Sequence, residues 1–133
     1  MSKSTLMGAG TLSLMLVLGG TAACFSDDPA PPDEMVAAEV EARNFVFSPD
    51  TVFIEVGETV RWTVTQGQHT VTGDPAQAQD PASVRLPPGA ATFDSGFLDE
   101  GETFEHTFQV TGVYKYFCIP HEASGMVGWV IVE

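Results

Sequence analysis

Tyr114, Tyr116 and Cys118 alternate along Val113 to Cys118, so parity places all three on one face of an extended segment. Such a strand carries a thiol inward at its very end, and this limits the chain to folds in which the inner face of a sheet opens directly onto a loop. The loop is Tyr116-Phe117-Cys118-Ile119-Pro120-His121-Glu122-Ala123-Ser124-Gly125-Met126, with His121 at +3 from Cys118 and Met126 at +5 from His121. A thiol, an imidazole and a thioether at these spacings are able to converge on one point.

The rest of the chain supports a sheet protein. Val36 to Phe47 is apolar in alternation with a break near Asn44, and Ser48-Pro49-Asp50 reads as a turn. Val52, Ile54 and Val56 share a face before the Gly57-Glu58 turn, and Val60, Trp62 and Val64 alternate with Arg61, Thr63 and Thr65. Because these segments lie close in sequence, they are expected to pair antiparallel locally. Thr92 to Phe97, Glu102 to Val110, Val113 to Cys118 and Met126 to Val132 complete the series, with turns at Asp99-Glu100-Gly101 and Thr111-Gly112. With no helical period and no internal repeat, the pattern predicts an all-β fold, a Greek-key β-sandwich of about eight strands. Gly73 to Ala91, broken by Pro75, Pro81, Pro87 and Pro88, is the one irregular stretch, and a loop of that length is either functional or holds a short helix.

Taken singly, a strand-end Cys is a small buried hydrophobe and a Met before an apolar run is core. Together they are the donor set of a metal that accepts soft sulfur and borderline nitrogen, and copper cycling between Cu(I) and Cu(II) fits best. The chain has three histidines, and His69, which ends an upstream strand pattern, is the candidate for the further donor. Two imidazoles and a thiolate form a trigonal set and a thioether completes it axially. His69 and His121 are thus read as imidazole ligands, Cys118 as the thiolate and Met126 as the axial donor. Pro120 lacks an N–H to offer the sulfur, and the Thr70 hydroxyl is placed to tie its strand to the ligand loop. His106, in Phe104-Glu105-His106-Thr107-Phe108, is read as a packing residue outside the site.

At these residues the sequence resembles the cupredoxins, most closely plastocyanin and the halocyanins, small type-1 blue copper proteins. Their motif, Tyr-x-Tyr/Phe-x-Cys-x-Pro-His followed by Gly-Met, is present as Tyr114, Tyr116, Cys118, Pro120, His121, Gly125 and Met126, and the likeness extends back through Phe45 to His69. The resemblance implies one type-1 copper per chain and a monomer that carries single electrons between redox partner proteins. It also implies that the carbonyl of Gln68 lies near the metal and that the His121 edge reaches the surface in an apolar patch where partners dock.

Residues 1–23 read as an export signal. Lys3 gives a positive start, Leu6 to Leu18 an apolar run and Gly19-Gly20-Thr21-Ala22-Ala23 a small-residue processing site. Cys24 follows directly, as in a lipoprotein signal, although Thr21 stands where Leu is usual. Residues 24–34, rich in Pro and Asp, form an acidic linker, leaving 35–133 as the copper domain. The expected location is therefore periplasmic or on the outer face of the cell membrane, tethered by a lipid on Cys24. A Cys24–Cys118 disulfide is the alternative for two cysteines in an exported chain, but it would consume the thiolate.

The net charge of −13 leaves no basic stripe for phosphates, which excludes nucleic acid as a partner. Acidic residues spread from Asp27 to Glu133, a distribution that fits high-salt solubility better than a single docking patch. A role in copper storage, delivery or resistance is the alternative function, though such a site has no need of Cys118. Catalysis is not expected, because type-2 and multicopper sites require more histidines than remain after His69 and His121.

Overall fold

The structure is a computed structural model that describes residues 36–133. The export signal, the Cys24 lipid and the acidic linker expected over 1–34 lie outside the described residues.

The strands are β1 (Val36–Arg43), β2 (Val46–Ser48), β3 (Thr51–Ile54), β4 (Thr59–Val64), β5 (Thr72–Gly73), β6 (Phe93–Asp94), β7 (Thr103–Thr107), β8 (Gly112–Phe117) and β9 (Val127–Val132). They form two sheets, one ordered β2-β1-β4-β7 and the other β3-β9-β8-β5-β6. The sandwich expected from the period-two pattern is present, with nine strands. Two strands go beyond the segments read from sequence: the break at Asn44 and Phe45, both with positive φ (48° and 63°), divides β1 from β2, and β5 forms at Thr72–Gly73.

The expectation of local antiparallel pairing fails for the central segments. β3 and β4 flank Gly57-Glu58 yet enter different sheets, where β4 lies parallel to β1 and β3 parallel to β9. The reason is burial. Val52 and Ile54 on one side and Val60, Trp62 and Val64 on the other all need an apolar neighbour, and facing each other across the sandwich serves both sets. Val56, expected to share the Val52 face, lies beyond β3 and is 48% exposed. The turn that crosses between the sheets is held by Gly57 N–H donating to the Phe108 carbonyl at 2.7 Å.

Trp62 occupies the centre of the core. Its ring lies 5.3 Å from Tyr116, 5.9 Å from Phe104 and 6.4 Å from both Phe93 and Phe108, and it is fully buried. Tyr116 presses against the backbone of β9 at Gly128, where a Cβ would collide with its ring and hydroxyl. Overpacking of this kind costs about 1–3 kcal/mol. Gly128→Ala is accordingly expected to lower the unfolding midpoint by roughly 4–8 °C for each kcal/mol lost, measured by thermal denaturation of the metal-free protein.

Two short 3-10 turns, Pro75–Gln77 and Pro81–Ser83, occupy the irregular stretch, each started by an aspartate whose side chain accepts from the N–H two residues on. Proline at the first position suits such a turn because no N–H is lost there. The helix alternative for this stretch is thus realised in short pieces.

Candidate metal centre

One end of the sandwich is built from three connections: the loop after β4, the Asn44-Phe45 corner, and the segment between β8 and β9. His69 lies on the first. Its backbone pairs with Leu98 in both directions, at 3.1 and 2.8 Å, so the residue is fixed as if in a strand. Its Nε2 stands 2.8 Å from the Gln66 carbonyl, which accepts only from a protonated nitrogen; Nδ1 is left with a free lone pair facing inward. Acidic side chains hold this loop from the other side, Glu100 accepting from Gly67 N–H at 3.1 Å and Asp99 from the Gln68 amide at 2.8 Å.

β8 delivers Cys118 to the interior as its parity requires, a fully buried free thiol. The chain then makes a 3-10 turn over Ile119–Ser124, kinked at His121, and leaves it at Gly125, whose φ of 78° is the left-handed conformation that glycine adopts without strain. Cys118 N–H donates to the Met126 carbonyl at 3.1 Å and Met126 N–H to the His121 carbonyl at 3.3 Å, which closes the loop on itself. Met126 is fully buried in the same apolar cluster as Cys118.

The donors meet. Cys118 Sγ lies 3.4 Å from His121 Nδ1 and 3.7 Å from His69 Nδ1, and one donor atom from each of the three residues lies within 4.8 Å of the others. Bonds of about 2.0–2.3 Å to a common ion, opened by roughly 120°, would separate nitrogen and sulfur donors by about 3.5–3.8 Å. The nitrogen–sulfur distances, 3.4 and 3.7 Å, lie close to that span.

Thr70 joins the two halves of the centre. Its N–H donates to Cys118 Sγ at 3.4 Å and its hydroxyl oxygen accepts from Ile119 N–H at 2.8 Å, the tie expected from sequence. The chain of bonds has a direction. Thr72 donates its hydroxyl proton to Asp94 at 2.9 Å, so its oxygen is left to accept from Thr70, also at 2.9 Å. Sequence reading found the Thr70 hydroxyl but missed the N–H to sulfur, as well as Thr72 and Asp94. Strand alternation sends side chains to known faces but does not say which backbone N–H points at a distant atom.

Burial pushes the Cys118 thiol up, and the N–H groups of Thr70 and His121 pull it the other way. The metal-free sulfur therefore keeps its proton, and binding of a metal ion must release it. Burial, and then the neighbouring His69, hold the His121 imidazole below its ordinary value, leaving it neutral with a lone pair to give. Phe45, 54% exposed, meets the His121 ring edge-on at 4.5 Å, and a concavity of about 400 Å3 opens beside them toward Gln68 and Pro120. His106 is remote from this end of the fold, stacked on Phe93 at 4.5 Å.

Residues 34–133 match the family model of copper binding proteins described as the plastocyanin/azurin family. The chain is 38% identical to halocyanin of Natronomonas pharaonis over 110 residues, 80% of this chain and 60% of the halocyanin's length. It is 31% identical to chloroplastic plastocyanin of Tetradesmus obliquus over 134 residues, covering 99% of this chain and 90% of that one. Among solved structures, a purple cupredoxin from Nitrosopumilus maritimus is similar with a TM-score of 0.54 and 29% identity, over 72% of this chain and 99% of the other.

Proposed function

Because the chain belongs to the plastocyanin/azurin family of copper binding proteins, we propose that it is a blue copper protein carrying one electron at a time between redox partners, with His69, Cys118, His121 and Met126 as the copper ligands. Copper supplies a one-electron couple between Cu(II) and Cu(I) in a site of this donor type. The observation that supports the reading is the approach of two imidazole Nδ1 atoms to one buried thiol, at 3.4 and 3.7 Å.

The protein's own contribution is rigidity and seclusion. Pairing with Leu98 fixes His69, the end of β8 fixes Cys118, and the self-closed loop fixes His121, so the donors need not move when the charge at their centre changes by one. His69, Cys118 and Met126 are 2%, 0% and 0% exposed, which keeps water from the metal position. His121 is the donor that reaches outward, and the exposed Phe45 beside it gives partners an apolar landing point. An uncharged contact of modest size suits brief encounters between redox proteins. Action outside the cytoplasm, with residues 1–23 as the export signal and a lipid on Cys24, belongs to the same proposal.

Cu(II) added to the metal-free domain is expected to produce an intense visible thiolate-to-copper band at one ion per chain, bleached by ascorbate and restored by ferricyanide. A pale complex would count against the carrier and in favour of copper storage or delivery.

A further inference from the structure

Glu122 directly follows His121 and takes no part in the donor set, yet its carboxylate is the most heavily hydrogen-bonded group on the loop. It leaves the loop sideways and enters the irregular stretch between β5 and β6. Gln79 N–H donates to both of its oxygens at 3.0 and 3.1 Å, Asp80 N–H donates to Oε1 at 2.9 Å, and the Ser83 side chain makes a further hydrogen bond. Backbone N–H groups converging on a carboxylate form charge-assisted bonds, stronger than those between neutral groups.

The stretch that Glu122 grips is itself anchored. Gln77 donates to Asp94 at 2.7 Å, Lys115 Nζ donates to the Ala82 carbonyl at 2.7 Å, and Arg85 and Lys115 exchange backbone bonds at 3.0 and 2.8 Å. The 3-10 turn carrying His121, by contrast, starts at Cys118 without a side-chain cap. The Thr70 hydroxyl holds it on one flank through Ile119. Glu122 is its hold on the other.

We propose that Glu122 is a positioning residue for the metal centre: by clamping the ligand loop to residues 79–83 it keeps the His121 imidazole aimed at Cys118 Sγ whatever the charge between them. This rests on the electron-carrier reading. Partners that orient metal ligands typically change metal affinity or activity by about 10–100-fold when removed. The irregular stretch then has a purpose beyond connecting β5 to β6, since it is the anchor for one ligand.

The test compares Glu122→Ala and Glu122→Gln with Lys115→Met, which removes a different anchor of the same stretch. In the metal-free protein, relaxation dispersion at the His121 backbone amide should rise in Glu122→Ala and stay near wild type in Lys115→Met. Loaded with copper, Glu122→Ala should exchange electrons with itself about tenfold more slowly and show a shifted visible band, while Glu122→Gln, which keeps an acceptor oxygen, recovers most of both. Unchanged His121 dispersion and exchange rate in Glu122→Ala would overturn the proposal, and so would an equal effect from Lys115→Met. Should the wild type take copper without an intense band, the carrier reading fails by itself, and the metal-free dispersion still decides the role of Glu122.

Discussion

Copper-loaded Cys118→Ser is expected to lose the intense visible band completely. The band requires a sulfur orbital bonded to the metal, and a serine hydroxyl neither ionises near neutral pH nor supplies that orbital. Serine is close to cysteine in volume, and Thr70 N–H retains an acceptor in the oxygen that replaces Sγ. The fold should therefore survive, with an unfolding midpoint for the metal-free variant near that of the wild type. Copper affinity should fall by more than the ~10–100-fold associated with losing an outer partner of a ligand. Visible absorption and a copper titration check both, and a variant that stays blue would remove Cys118 from the site.

Trp62→Ala is expected to cost about 3–5 kcal/mol, a large part of the ~5–15 kcal/mol that holds a typical domain together. Trp62 is fully buried on β4 and touches rings from β6, β7, β8 and the segment after β7. Its loss empties the middle of the sandwich, and Tyr116 loses the surface that holds it two residues before Cys118. Trp62→Phe should cost less, because phenylalanine keeps an aromatic ring in the middle of the sandwich and leaves a smaller cavity than alanine. Denaturant unfolding of the two metal-free variants measures the difference. Equal losses would mean that the size of the ring matters less than its packing suggests.

The convergence at the metal end was legible because it is mostly local. Cys118, His121 and Met126 share one loop, and with three histidines in the chain the choice of His69 was narrow. The sandwich was legible from alternation, since Val60, Trp62 and Val64 point inward as their period demands. Which sheet each strand joins was not, because β3 and β4 have the same pattern whether they form a hairpin or face each other. Nor was the grip of Glu122 on Gln79 and Asp80 visible. It is one of 18 acidic residues, and its partners are backbone groups some forty positions away that carry no mark in sequence. Strong local signals therefore pointed to the candidate donors, while the hydrogen bonds around them emerge only from the three-dimensional arrangement.

β9 has a consequence for how the protein comes to life. It lies inside its sheet, between β3 and β8, although it is drawn from the last stretch of the sequence. Until it arrives, β3 has no neighbour in that sheet and the loop bearing Cys118 and His121 has no strand to return into. Pairings between such distant segments form late, because closing the intervening chain is entropically costly. Closing the loop that carries Cys118 and His121 is therefore coupled to one long-range pairing, β3 with β9, and a chain without β9 would present its thiol on a loop with no return path.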